Sequence, residues 1–162
     1  MPATMDDLLH RLDDLGIKAA TQRHAAVFTV EEAKAERGDL AGGHCKCLFL
    51  KDKKGALWLV VALEDRKMDL KALRHQIGAA ALSFGRPERL LEVLGVTPGS
   101  VTPFALINDG ARLVNVVLDR EMMELDLVNY HPLTNQATTT LSPGDLLAFI
   151  EACGHQPQMV AL

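Results

Sequence analysis

Lys46 stands in the run Cys45-Lys46-Cys47-Leu48-Phe49-Leu50, an apolar stretch in which a charged amine is a cost unless something uses it. In an extended segment residues 44, 46, 48 and 50 share a face. Lys46 therefore leaves on the side of Leu48 and Leu50, while Cys45, Cys47 and Phe49 take the other. An ammonium in that setting can hold a phosphate or an oxyanion, or lose proton affinity by desolvation. The competing reading is a lysine at the solvated start of a strand, its head snorkelling into water. His131 precedes Pro132 in Asn129-Tyr130-His131-Pro132-Leu133-Thr134-Asn135, and proline biases its predecessor toward extended backbone. An imidazole on a stiff polar loop suits positioning or proton transfer, and equally an uneventful surface turn. Pro98-Gly99-Ser100-Val101-Thr102-Pro103 adds a third feature. Gly99 permits close backbone approach and could leave amides free for a carbonyl cradle, although most Pro-Gly pairs are simple turns.

Other chemistries lack their residues. In His44-Cys45-Lys46-Cys47, strand alternation sends His44 away from both cysteines, and no second Cys/His pair follows at zinc spacing, so no metal site is expected. The cysteines read as small buried apolar residues. There is no Gly-x-Ser-x-Gly elbow, no His-Glu-x-x-His, no dinucleotide fingerprint and no P-loop. Triad hydrolysis and nucleotide cofactors are unsupported, and no cofactor is expected.

The elements that must position these residues are well punctuated. Thr4 opens a helix carrying Leu8, Leu9, Leu12 and Leu15, closed by Gly16, and Thr29 with Glu31 and Glu32 opens a charged helix to Arg37. Cys45–Leu50 and Leu57–Leu63 read as two central strands joined across Lys51-Asp52-Lys53-Lys54-Gly55. Asp69 begins a helix with Leu70, Leu73 and Ile77. Pro87 sits near the start of another with Leu90, Leu91 and Leu94, stopped by Gly95. Val101–Ile107 and Arg112–Leu118 read as a second strand pair across Asn108-Asp109-Gly110, and Leu125–Val128 with Ala137–Leu141 as a third group. Ser142, Pro143 and Asp145 start the best-signalled helix, which ends before Gly154. Tight-turned strand pairs, with helices that do not alternate one for one, point to an α+β domain rather than a doubly wound sheet.

The chain has 162 residues, 48% of them hydrophobic and 23% charged, which fits one domain spanning 1–162 that builds a core without staples. Three cysteines and an N-terminus crowded with aspartates predict a reducing, cytoplasmic setting, and no apolar run is long enough for a membrane anchor. The net charge of −4 argues against bulk nucleic-acid binding. Residues 51–74 nevertheless hold seven bases against four acids, so one side of the fold could face phosphate or simply be a solvated surface.

Taken in order, Gly42 to Gly55, then Gly95-Val96-Thr97-Pro98-Gly99-Ser100-Val101-Thr102-Pro103 leading to Leu106-Ile107-Asn108-Asp109, and finally His131 to Asn135 with Ala137-Thr138-Thr139, resemble the YbaK/prolyl-tRNA editing-domain family. Within it the likeness is greatest to the free-standing alanyl-tRNA(Pro) deacylase branch, and it runs from about Leu8 to the C-terminal tail. The resemblance implies a compact single α+β domain with a mixed, largely antiparallel, barrel-like sheet flanked by helices. It implies trans-editing, the hydrolysis of the ester between a wrong amino acid and the terminal adenosine of tRNA. It implies Lys46 and His131 as the catalytic residues, with Lys46 holding the substrate near the 3′ end and His131 shaping the pocket. Gly99 and Pro103 match a Gly-x-x-x-Pro loop lining the aminoacyl pocket, with Ser100, Thr102 and Cys47 as further substrate-binding residues. Two positions depart from the pattern: Cys47 where Asn is common, and Thr102 where some relatives carry a second glycine. The expected partner is mischarged tRNA(Pro), met by Lys51, Lys53, Lys54, Lys67, Lys71 and Arg74. Prolyl-tRNA synthetase is a candidate second partner, no membrane is involved, and a monomer is expected. The alternatives are a non-catalytic aminoacyl-tRNA or nucleotide binding module on the same fold, and a thiol- or zinc-dependent regulator using Cys45 and Cys47.

Overall fold

The structure, a computed structural model, describes residues 2–25 and 42–162. The charged helix expected from Thr29 to Arg37 lies outside the described residues. Among the described residues four helices start on the predicted residues. Thr4 and Asp7 exchange a complete capping box at the head of α1 (Met5–Asp14). Asp69 caps α2 (Leu70–Ile77), and Pro87 opens α3 (Pro87–Leu94), which Gly95 ends at φ 69°. Ser142 accepts the Asp145 amide at the start of α4 (Pro143–Ala152), a cap of the kind whose removal costs about 1 kcal/mol.

The strands among the described residues are β1 (Ala20–Arg23), β2 (Gly43–Asp52), β3 (Leu57–Leu63), β4 (Leu82–Phe84), β5 (Val114–Asp119), β6 (Val128–Tyr130), β7 (Ala137–Leu141) and β8 (Gln158–Val160). They form a mixed sheet in the order β1-β7-β6-β2-β3-β5-β8, with β4 on β2. Pairings β1·β7, β2·β3, β2·β4 and β6·β7 are antiparallel, whereas β2·β6, β3·β5 and β5·β8 are parallel. β1 and β8 are the two ends of this order. The β2–β3 hairpin turns where expected, with Gly55 at φ 87°.

Two corrections concern strands. Residues 103–108 form a 3-10 helix and not a strand: Pro103 has no N–H to give a ladder, and Thr102 Oγ1 accepts the Phe104 amide to start the turn. Val114–Asp119 therefore pairs with β3 and β8 rather than with its sequence neighbour. The strand expected over Leu125–Val128 falls later, at Val128–Tyr130.

The double apolar character of β2 and β3 is met by cover on both sides. On one face Phe49, Leu57, Leu59 and Val61 join Val116, Leu118, Tyr130 and Leu141 under Leu8, Leu90, Leu94, Leu146 and Phe149 from α1, α3 and α4. On the other, Leu50, Val60 and Val117 pack against Leu73 and Ile77 of α2. Each such fully buried side chain contributes about 1.5–3 kcal/mol of transfer free energy.

Candidate active site on the parallel β2–β6 pair

Lys46 sits opposite Ala62 of β3 and leaves the sheet on the Leu48 and Leu50 face, the one α2 covers, as alternation requires. Its side chain is half-buried. The Nζ donates to the backbone carbonyl of Arg66, in the connection between β3 and α2. That carbonyl occupies one of three ammonium N–H groups and removes much of the ~2 kcal/mol of rotamer freedom a lysine otherwise keeps. Arg66 is itself anchored. Its Nε donates to Asp119 Oδ2 at 2.6 Å, and its guanidinium also meets Glu121. Asp119 is wholly buried at the end of β5 and also accepts the amide of Leu63 at 3.3 Å.

β2 and β6 run parallel, with Gly43 opposite Val128 and His44 opposite Asn129. Gly42 makes this approach possible: at φ 96° it takes a backbone that L side chains avoid, and a Cβ there would lie 3.0 Å from the Leu127 carbonyl. Tyr130 and Cys45, one residue on, both join the first core. Lys46 stands on β2 two residues past the His44–Asn129 pair, and His131 follows the last residue of β6, Tyr130. His131 Nδ1 lies 3.0 Å from the Ala137 carbonyl and so carries the hydrogen, which leaves Nε2 to accept a hydrogen bond when the ring is neutral. Burial lowers its pKa from the ordinary 6.5, against the opposing pull of the Ala137 carbonyl, with nearby His24 lowering it further. His24 is a residue the sequence reading missed. Its ring centroid is 6.4 Å from that of His131, and its Nε2 lies 2.8 Å from Thr138 Oγ1. Only the pairing of β1 with β7 brings it there, and nothing local in the sequence signals that.

The Gly-x-x-x-Pro loop is a 3-10 turn over Pro98–Ser100 followed by a buried stretch. Gly99 is half-buried, Ser100 nearly enclosed, and Thr102 and Pro103 buried. The expectation of free amides fails at Ser100, whose N–H donates to the Thr97 carbonyl at 2.9 Å to close the turn. Thr102 uses its hydroxyl as the cap of the following turn. Cys47 points into the first core, away from Lys46, and its thiol is driven well above its ordinary pKa by burial. Burial likewise pushes Cys45 up to about 12. Burial thus disfavours the thiolate that a reactive-thiol regulator would need at either position. Among the described residues no three His, Cys, Asp or Glu side chains come together as a metal-binding group.

Of the basic residues, Lys51, Lys53 and Lys54 are exposed on the hairpin and Lys67 and Lys71 around the start of α2, while Arg74 is half-buried with its Nε unpartnered. Because α2 lies over the face from which Lys46 projects, Lys67, Lys71 and Arg74 share its side of the molecule. A cavity of about 260 Å³, lined by Trp58, Arg112, Asn115 and His155 among others, lies elsewhere. Trp58 pairs with Leu50, so this cavity is at the far end of the hairpin strands from Lys46. None of the predicted site residues lines it.

Comparison with known proteins bears on the family and the fold. The aminoacyl-tRNA editing domain profile matches residues 24–149. A cattle protein, prolyl-tRNA synthetase associated domain-containing protein 1, is 43% identical over 155 residues, covering 93% of this chain and 90% of its own. The prolyl-tRNA editing protein ProX of Acetoanaerobium sticklandii is 37% identical over 156 residues, covering 96% of this chain and 95% of its own. The crystal structure of a candidate trans-editing enzyme for prolyl tRNA synthetase shares the fold, with a TM-score of 0.71 at 22% identity over 99% of this chain and 98% of that one. No helix among the described residues is long and apolar enough to cross a membrane. With the profile matched over most of its length and relatives well above 30% identity across nearly all of it, the chain belongs to the aminoacyl-tRNA editing domain family.

Proposed function

We propose that this aminoacyl-tRNA deacylase works in trans on mischarged tRNA(Pro), and that alanine is the amino acid it removes. The observation that carries the reading is the Lys46 ammonium, held on a strand whose start pairs in parallel with β6, the strand that ends one residue before His131, within a chain whose ProX relative is named as a prolyl-tRNA editing protein.

An aminoacyl ester is already activated, so the protein needs chiefly to hold it and polarise its carbonyl. In this mechanism the two remaining N–H groups of the Lys46 ammonium donate to the terminal phosphate or the ester. His131 Nε2 accepts a hydrogen bond from the ribose hydroxyl or the attacking water, and the free ribose hydroxyl orients that water. Neither a covalent nucleophile nor a metal is required by this scheme. Selection is by size: a synthetase pocket made for proline cannot firmly reject alanine, and a second, smaller hydrolytic site excludes the cognate residue. The Gly99–Pro103 loop is the wall we assign to that pocket, and prolyl-tRNA synthetase is the partner from which the mischarged tRNA would come.

The test is a side-by-side assay of tRNA(Pro) carrying alanine, serine, cysteine or proline, with and without chelator. Alanine should be released fastest, proline spared, and the chelator without effect. Binding without turnover of any of the four would instead mark a recognition module.

A further inference from the structure

The Arg66 turn ties Lys46 to groups far away in the chain. Asp119 Oδ2 accepts both the Leu63 amide, at 3.3 Å, and Arg66 Nε, at 2.6 Å, so one buried carboxylate grips both ends of the Leu63–Arg66 turn. The Arg66 amide closes the same turn on the Leu63 carbonyl at 3.1 Å. Asp119 Oδ1 accepts the Glu121 amide at 3.3 Å, and the Glu121 carboxylate returns to the Arg66 guanidinium. The turn is thereby fixed at its backbone and at its side chain. It presents the Arg66 carbonyl to the Lys46 ammonium.

We propose that Arg66, clamped by Asp119 and Glu121, is the positioning residue for Lys46: its carbonyl takes one ammonium N–H and so aims the other two at the substrate. This rests on the reading of Lys46 given above. The charge arrangement suits the task. The guanidinium faces two carboxylates, so a cation can rest on the carbonyl of a cationic residue without meeting an unopposed positive charge. A fixed donor is worth more in a transition state than a mobile one, because no reorganisation remains to be done when charge develops on the ester. Removing the clamp should therefore lower kcat and leave KM nearly unchanged.

Arg66→Met keeps an unbranched apolar stem and deletes the guanidinium, but leaves Asp119 buried without its cation. The double variant Arg66→Met/Asp119→Asn deletes that orphaned charge as well, and Glu121→Gln loosens only the exposed end of the clamp. Each is assayed for deacylation of alanyl-tRNA(Pro) beside Lys46→Ala, with thermal melting and the ordering of the Lys46 ε-methylene in NMR relaxation as further readouts. The expected result is a kcat at least tenfold lower in both Arg66→Met variants, a two- to fivefold drop in Glu121→Gln, KM within twofold, and a Lys46 side chain measurably more mobile in all three. The double variant should melt closer to the wild type than Arg66→Met and still turn over slowly, which a purely structural clamp would not produce. A folded double variant with wild-type kcat and an ordered Lys46 overturns the proposal. Should the double variant not fold, wild-type kcat and an unchanged Lys46 in Glu121→Gln overturn it. Wild-type turnover by Lys46→Ala would instead remove the reading of Lys46 beneath it.

Discussion

An ammonium with one N–H already committed to a carbonyl is a directed donor, and Lys46 is such a group. Its face was legible, because a period of two allows only two choices and Leu48 and Leu50 mark one of them. The carbonyl that holds it was not. Arg66 and its anchor Asp119 are 53 residues apart in sequence, and no local pattern announces a pairing of that span. His131 was legible as a candidate through its proline, but its partner Ala137 and its neighbour His24 come from strand pairing. The depressed proton affinity of His131 has a consequence with a definite sign. Between its folded pKa and the ordinary 6.5 the unfolded chain binds a proton that the native ring does not, so its contribution to stability is complete above about pH 6.5 and declines as the pH falls below. His131→Gln should flatten that decline. Denaturation midpoints at pH 7.5 and 5.5 should differ less in the variant than in the wild type, and equal differences would show that the native ring titrates normally.

Among the elements, the β2–β3 hairpin depends on a buried acid that the sequence shows only as one letter of a basic turn. Asp52 accepts the amides of Lys54 and Ala56 at 2.9 and 3.0 Å, the Trp58 indole N–H at 3.2 Å and the Ala80 amide at 3.3 Å. Burial works against its charge, yet those donors hold its pKa below the usual 3.8. Asp52→Ala leaves these donors without their acceptor and should destabilise the fold by about 2–3 kcal/mol, read by denaturant unfolding with hydrogen exchange rising first at Lys54 and Ala56. A loss below about 0.5 kcal/mol would mean that water replaces the carboxylate at no cost. Helices were the most readable elements, since Thr4, Asp69, Pro87 and Ser142 carry their starts in local chemistry. Residues 103–108 were misread because their apolar run fits a strand as well as a tight turn, and Pro103 decides between the two. The short strands β1 and β4 exist by pairing with β7 and β2, beyond the reach of any local signal.

At the scale of the whole molecule, charge is divided: the stretch 119–162 holds Arg120 alone against six acids, while residues 51–74 hold seven bases against four acids. On the proposed function, a protein of net charge −4 should bind RNA weakly and with salt sensitivity. For about two neutralised phosphates, affinity should fall about tenfold between 50 and 200 mM salt. The paired reversal Lys53→Glu/Lys54→Glu should raise KM for aminoacyl-tRNA severalfold and leave kcat unchanged, whereas an unaltered KM would take the hairpin out of the interface. The most direct measurement is alanine release from alanyl-tRNA(Pro) by the wild type and by Lys46→Ala, with melting curves recorded on both. We predict multiple turnover by the wild type and a loss of at least a hundredfold in the variant, about 2.7 kcal/mol of barrier, at an unchanged melting temperature. No release by the wild type, or equal release by a folded variant, would contradict the account.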